Sequence, residues 1–128
     1  MSPVLHLGDC LEVMKQIPDG SVDLILCDLP YGTTDCKWDS VIPFEPLWAH
    51  YRRVAKPHAA IVLTASQPFT TVLIASNLSD FKYCWVWDKK AAANFMQAAF
   101  QPLKQTEDIC VFSRGGASNG SKMPMTYH

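Results

Sequence analysis

The chain has 128 residues, of which 48% are hydrophobic and 18% charged, and its formal net charge is −1. This length fits one domain with a buried core, and the composition excludes a disordered tail, a collagen-like repeat and an arm that binds nucleic acid by charge alone. No apolar run reaches the roughly 20 residues of a membrane helix, and the N-terminus has no signal pattern, so we expect a cytoplasmic protein without a membrane partner.

Charge and cysteine content narrow the choice of ligands. Residues 1–40 contain seven acidic and two basic residues, whereas residues 41–128 contain nine basic and five acidic ones. A polyanion would prefer the second part, although ordinary solvated charge explains the same pattern. The five cysteines are odd in number and form no Cys-x-x-Cys pair, which predicts reduced thiols and no metal site.

The first part of the chain alternates strand and helix patterns. The apolar run 4–7 predicts a strand, and apolar residues at helical spacing predict a short helix over 11–17. Residues 22–27 are almost continuously apolar, which predicts a strand covered on both faces, as in a parallel sheet. An apolar stripe between Pro43 and Pro57 predicts a helix over 44–55.

The second part begins with another buried strand, predicted over 59–64, and a helix that starts near Ser66-Gln67-Pro68. Strands are also predicted over 83–87 and 108–112, separated by a loop with some helix. This βαβ rhythm predicts an α/β domain. The ligand site of such a sheet lies beyond the carboxyl ends of its strands, where Asp9 and Asp28 both fall.

The segment Asp28-Leu29-Pro30-Tyr31-Gly32 carries the clearest chemistry. An acid, a proline and an aromatic residue at the mouth of a buried strand form a rigid polar corner beside a flat apolar surface. Such a corner suits a planar group with an NH₂ substituent, since carboxylate and carbonyl oxygens accept its hydrogens while the ring stacks. A proline turn with a solvated aspartate is the alternative that this pattern leaves open.

This segment resembles the Asp/Asn/Ser-Pro-Pro-Tyr/Phe tetrapeptide of the amino-methylating DNA methyltransferases, which transfer a methyl group from S-adenosylmethionine (AdoMet) to adenine N6 or cytosine N4. Further similarities follow in chain order and cover nearly the whole sequence. They are Gly8-Asp9-Cys10-Leu11, residues 17–25, Ser66-Gln67-Pro68-Phe69, Trp87-Asp88-Lys89-Lys90, Asn94-Phe95, Pro102-Leu103 and residues 107–112.

The resemblance implies an incomplete Rossmann-like α/β methyltransferase sheet with flanking helices and an antiparallel C-terminal portion. Residues 1–114 would be the catalytic half, and residues 115–128 a flexible segment at the start of a truncated target-recognition region. The opening aspartate is typical of the adenine-N6 branch, so the implied activity is methylation of a flipped-out adenine in double-stranded DNA, as in restriction-modification.

The resemblance also implies a role for each matched residue. Tyr31 would stack on the base, while Asp28 and the carbonyl near Leu29-Pro30 accept hydrogen bonds from its amine. Asp9 and Cys10 would face the adenosine part of AdoMet, with Asp28 beside its methyl group. The expected contacts to DNA phosphates or flanking bases are Lys89, Lys90, Asn94 and Arg114.

Two departures from the family pattern matter. Leu29 stands where the family usually has proline. The backbone carbonyl is unaffected by this change, but the turn is less rigid. In the permuted branch, which has the catalytic motif first, a glycine-rich AdoMet loop follows the catalytic half. This sequence has no match to that loop. Gly115-Gly116 with Gly120 does not qualify, because too few residues follow it to form the helix that such a loop precedes. We therefore expect a truncated chain with little or no activity alone.

These departures leave three alternatives and one expectation about assembly. The chain is a shortened adenine methyltransferase, or a non-catalytic remnant that binds DNA or a partner methyltransferase, or an amino-methyltransferase of cytosine N4 or RNA. Missing strands would expose a sheet edge, and exposed edges pair with other chains. A homodimer or a complementing chain is therefore expected.

Overall fold

The computed structural model describes residues 2–127. They form one four-stranded sheet with the strand order β1-β2-β4-β3. In chain order the strands are β1 Val22–Asp28, β2 Ala55–Ala65, β3 Phe81–Ala93 and β4 Lys104–Phe112, and the α-helices are α1 Cys10–Val13, α2 Phe44–Val54 and α3 Phe69–Ser76. Short 3₁₀ helices cover Met14–Gln16 and Phe95–Gln97.

The topology explains where polar side chains converge. β1 and β2 are parallel and connected through α2, which brings Asp28 into register with Thr64. β4 runs antiparallel to both β2 and β3. The prediction of an α/β sheet with flanking helices and an antiparallel C-terminal portion is therefore confirmed.

The core lies between the helices and one face of the sheet. Leu47 and Trp48 of α2, Leu73 of α3, and Leu63 and Phe112 of the central strands are at most 3% exposed. The rings of Trp48 and Phe112 are 4.8 Å apart between centroids. Burying a large apolar side chain stabilises the fold by roughly 1.5–3 kcal/mol. The central strands β2 and β4 therefore contribute strongly to the core.

The opposite face of the sheet is largely uncovered by residues 2–127. Leu24 and Leu26 of β1 are 55% and 71% exposed, and Trp85 of β3 is 50% exposed. The prediction that the strand over 22–27 is covered on both faces is therefore wrong. A continuous apolar run cannot distinguish two covered faces from one covered face and one that stays open, and here the helices pack on the Ile25 and Cys27 side.

The prediction of a strand over residues 4–7 is also wrong. These residues are irregular, and the side chains of Leu5 and Leu7 are fully or almost fully exposed. Strand geometry requires a neighbouring strand to satisfy its backbone groups, and no described residue between 2 and 127 supplies one to this run.

Residues 115–127, predicted to be flexible, fold back towards the sheet, whereas His128 lies outside the described residues. Gly116 is bridged to Pro124, and the Thr126 amide donates to the His58 carbonyl at 2.8 Å. Met125 is buried against the otherwise open face of the sheet. A Cβ on Gly115 would lie 2.7 Å from the Met125 backbone, so glycine permits this close approach.

The helices of residues 2–127 are all too short or too polar to cross a membrane.

Candidate functional site

A hydrogen-bonded cluster of Asp28, Tyr31 and Thr64 lies where β1 and β2 end. The Thr64 hydroxyl donates to Asp28 Oδ1 at 2.5 Å. The Tyr31 hydroxyl lies 3.0 Å from Asp28 Oδ1 and 2.9 Å from Thr64 Oγ1. Because both strands point the same way, their last side chains meet at one edge of the sheet, and we call this group the Asp28 cluster.

The position of the Tyr31 ring is fixed from two directions. Its hydroxyl is held by the Asp28 cluster, and its ring stacks on Phe69 with centroids 5.2 Å apart and planes 24° apart. Burial raises the pKa of the Tyr31 hydroxyl, and the adjacent Asp28 carboxylate raises it further, so the hydroxyl remains a proton donor. Since Phe69 occupies one face of the ring, a planar ligand can stack on the other face.

An open, mostly polar cavity of about 640 Å³ adjoins Tyr31. It lies between the ends of the strands and the segment that follows β3. Its lining includes Thr33, Thr34, Ser66, Gln67, Asn94, Gln97, Gln101, Lys104 and Glu107. A cavity of this size with convergent donors and acceptors can hold a nucleobase.

Asp39 organises the loop that follows Tyr31. This buried carboxylate accepts hydrogen bonds from the Gly32, Thr33 and Thr34 amides and from the Thr34 hydroxyl, at 2.7–2.9 Å. The Thr34 hydroxyl and these amides lower the pKa of Asp39 to about 2. The loop therefore stays closed around an ionised side chain at neutral pH, which fixes the chain beyond Tyr31.

A second pocket, of about 260 Å³, is lined by Asp9 and Cys10. Asp9 caps α1, with its Oδ1 accepting from the Leu11 amide at 2.8 Å. Burial and the neighbouring Asp9 charge raise the pKa of the Cys10 thiol. Pro30 and Trp38 line this pocket and also a smaller one of about 150 Å³ that contains Asp28 and Tyr31. The two groups are therefore neighbours.

Leu29 has a different place from its neighbours in the tetrapeptide. Its side chain is buried in the core against the helices, with 5% exposure. What this position offers a ligand is thus its backbone, while Pro30 remains on the pocket surface.

The four basic or polar residues expected at DNA are spread over the molecule. Lys89 pairs with Glu107 at 2.6 Å, and Lys90 pairs with Asp88 at 3.1 Å. Asn94 has a left-handed backbone conformation and lines the cavity beside Tyr31. Arg114 follows the far end of β4 and donates to the Ala55 carbonyl at 2.9 Å, so the structure does not bring it together with Asp28.

Three residues of the site had no predicted role, namely Thr64, Asp39 and Phe69, although Phe69 belongs to a segment that resembles the family. Thr64 is a polar residue that ends an apolar run, which is the same signal that singled out Asp28. The buried contacts of Asp39 and Phe69 depend on a loop and a helix packing together, and no local pattern marks them. Three or more His, Cys, Asp or Glu side chains that could hold a metal ion do not come together anywhere in residues 2–127.

Solved structures that superpose on this chain include DNA methyltransferases. The PvuII DNA methyltransferase, which is cytosine-N4-specific, superposes with a TM-score of 0.64 at 11% identity, over 85% of this chain and 48% of its own. A candidate DNA modification methylase from Thermus thermophilus, complexed with AdoMet, gives a TM-score of 0.60 at 18% identity, over 91% and 58%. The chain therefore shares the fold of part of these proteins.

A third similar structure is the complex of M1.HpyAVI with AdoMet, with a TM-score of 0.57 at 16% identity over 92% of this chain and 62% of that one. The chain thus spans between 48% and 62% of the length of these three methyltransferases. No protein-family model matches the sequence.

Proposed function

We propose that this chain carries the catalytic corner of an AdoMet-dependent DNA methyltransferase that acts on the N6 amine of a flipped-out adenine. The observation that supports this proposal most is the Asp28 cluster, an ordered carboxylate beside a stacking-competent tyrosine at the mouth of the sheet. The methyltransferase fold and the bound AdoMet of two similar structures support it further. Aspartate as the first residue of the tetrapeptide favours adenine.

In the proposed reaction, Asp28 and the backbone at Leu29-Pro30 act on the amine. The carboxylate and a carbonyl oxygen accept its two N–H hydrogens, which draws the nitrogen lone pair out of conjugation with the ring. When AdoMet is bound, the new N–C bond would form as the bond between the methyl carbon and the AdoMet sulfur breaks, and the leaving group would be the neutral thioether S-adenosylhomocysteine. Positive charge would then develop on nitrogen, where the adjacent carboxylate stabilises it. The proton that nitrogen then loses passes to Asp28 or to water. Tyr31 holds the base by stacking, so most of the rate enhancement comes from positioning the amine.

AdoMet, when bound, supplies the electrophilic methyl group. The pocket around Asp9 suits its adenosine part, because a carboxylate accepts hydrogen bonds from ribose hydroxyls while Leu11 and Trp38 offer apolar surface to a purine. The acidic first 40 residues also suit a cationic cofactor. We assign Asp9, Cys10 and Asp28 to this cofactor site.

We further propose how the rest of the chain contributes. Residues 1–114 form the catalytic part, and residues 115–128 lead towards target recognition. Lys89 and Lys90 of β3 and Asn94 just after it are candidate DNA contacts, and Arg114 would reach a more distant phosphate. The open sheet face suggests that a second copy or a complementing chain assists the reaction, so transfer by the isolated chain should be slow.

The test is methyl transfer from labelled AdoMet to duplex DNA, with the protein in excess over DNA and the product digested to nucleosides. We expect slow labelling of N6-methyladenine. Asp28→Ala should lower the rate by about 10²–10³-fold, whereas Asp28→Asn, which keeps an accepting oxygen, should lose less. Label in N4-methylcytosine would contradict the choice of base. Equal labelling by wild type and Asp28→Ala would contradict the proposed function.

A further inference from the structure

Two cysteine thiols face each other across the antiparallel strands β3 and β4. Cys84 and Cys110 are paired in register, and their sulfur atoms are 3.6 Å apart. Residues that oppose each other in an antiparallel pair have Cα atoms about 4.5–5.5 Å apart, within the range that a disulfide spans. Bond formation therefore requires a side-chain adjustment rather than a movement of the strands.

The two thiols differ in access. Cys84 is exposed on the edge strand β3, whereas Cys110 is fully buried in the core. Burial raises the pKa of Cys110 to about 12, and the adjacent Cys84 contributes to that rise. Cys110 is therefore protonated. Because Cys84 is exposed and Cys110 is buried, an oxidant in solution reaches Cys84 first. An exposed attacking thiol with a second thiol in contact is the arrangement of a reversible oxidation site.

We propose that Cys84 and Cys110 form a modification site at which a low-molecular-weight disulfide oxidises the pair to an intramolecular disulfide. The Cys84 thiolate attacks one sulfur of the oxidant, whose S–S bond breaks and releases a thiolate. Cys110 then loses its proton, and its sulfur attacks Cys84 Sγ in the mixed disulfide, releasing the second thiol. Two protein thiols are oxidised and one disulfide is reduced to two thiols, so the exchange balances.

The bond would fasten the edge strand β3 to β4. β3 carries Lys89 and leads to Asn94, which lines the cavity next to Tyr31. The proposal concerns thiol chemistry alone and holds whether or not the chain transfers methyl groups.

The test treats the folded full-length chain with oxidised glutathione, blocks the remaining thiols, and digests the protein with trypsin without reduction. Cleavage after lysine and arginine places Cys84 in peptide 83–89 and Cys110 in peptide 105–114, with no other cysteine in either. We expect these two peptides joined as the main product, two hydrogen masses lighter than their sum, and separated by a reductant.

Controls distinguish this bond from other products. Cys84→Ser, an exposed substitution, should leave Cys110 without glutathione, because burial shields it. Three results would overturn the proposal. The first is glutathione that stays on Cys84 while Cys110 reacts with the blocking reagent only after unfolding. The second is a disulfide from Cys84 to Cys10, Cys27 or Cys36, and the third is a disulfide between two chains. Reaction under denaturing conditions measures the random pairing against which the folded protein is compared.

Discussion

The hydroxyl of Thr64 ties both the Asp28 carboxylate and the Tyr31 hydroxyl to the neighbouring strand, and valine has the shape of threonine without this hydroxyl. Thr64→Val should lower the rate of methyl transfer by about 10-fold and leave the KM for AdoMet nearly unchanged, because a hydrogen bond to a charged group is lost. Thr64→Ser should restore the rate. If both variants lose activity equally, or both unfold at a lower temperature, Thr64 has a structural role instead.

Asp39 gives the loop after Tyr31 a defined pH dependence. Its pKa is lowered to about 2 in the folded chain, below the roughly 3.9 of an unfolded aspartate. Its contribution to the unfolding free energy is therefore complete above pH ~4 and is lost as the pH falls towards 2. Thermal unfolding of wild type and Asp39→Asn should show a difference in Tm that narrows over this interval. A constant difference from pH 7 to pH 2 would contradict this role.

Residue types alone predicted part of the site. Asp28 and Tyr31 were singled out because an acid, a proline and an aromatic residue follow an apolar strand, and the structure joins them through hydrogen bonds. Thr64 carries the same local signal as Asp28, but that signal does not show that the two side chains meet, and Asp39 carries no such signal. Their contacts cross between strands or close a loop, and the partner of such a contact depends on register and packing rather than on neighbouring residues.

At the scale of elements, Arg53 of α2 anchors the α1 segment that carries Asp9. Its guanidinium donates to the Ile17 carbonyl at 2.8 Å and the Met14 carbonyl at 2.6 Å, and it also pairs with Asp19. Lysine has one nitrogen in place of the two that Arg53 places on separate carbonyls, so Arg53→Lys should lower the unfolding free energy by about 1–3 kcal/mol in denaturant titrations.

A matched control for this substitution is Lys15→Gln, which removes the exposed ion pair with Glu12 on the same segment. Exposed pairs contribute little, so we expect a change of less than about 1 kcal/mol. Equal effects of the two substitutions would show that the carbonyl contacts of Arg53 do not hold the segment.

Elements with strong periodicity were predictable, and elements that depend on a partner were not. The apolar stripe of α2 and the apolar run of β1 predicted their bounds to within a residue. Residues 4–7 have a similar apolar character, yet they remain irregular because no neighbouring strand among residues 2–127 pairs with them. β3 extends well beyond its predicted bounds, since pairing with β4 supports polar residues as well.

At the scale of the whole molecule, the open sheet face predicts self-association. Leu24 and Leu26 are exposed on β1, whose outer edge has no neighbour within residues 2–127. Unpaired edges and apolar patches associate with other chains. Sedimentation should therefore detect dimers or larger species, and Leu26→Lys should shift them towards monomer.

Leu78→Lys is the matched control, because Leu78 is exposed to a similar degree but lies in the turn between α3 and β3 rather than on β1. It should leave the association unchanged. A wild-type chain that sediments as a monomer over a wide concentration range would contradict the prediction, and so would an equal effect of both substitutions.

Whether the Asp9 pocket and the Asp28 corner form one cofactor site is decided most directly by calorimetric titration of AdoMet into the wild-type chain and Asp9→Ser. Serine keeps the helix cap but removes the carboxylate, so folding is preserved. We predict saturable binding by the wild type and its loss in the variant. Absence of binding by the folded wild-type chain, or equal binding by both proteins, would contradict the proposed site.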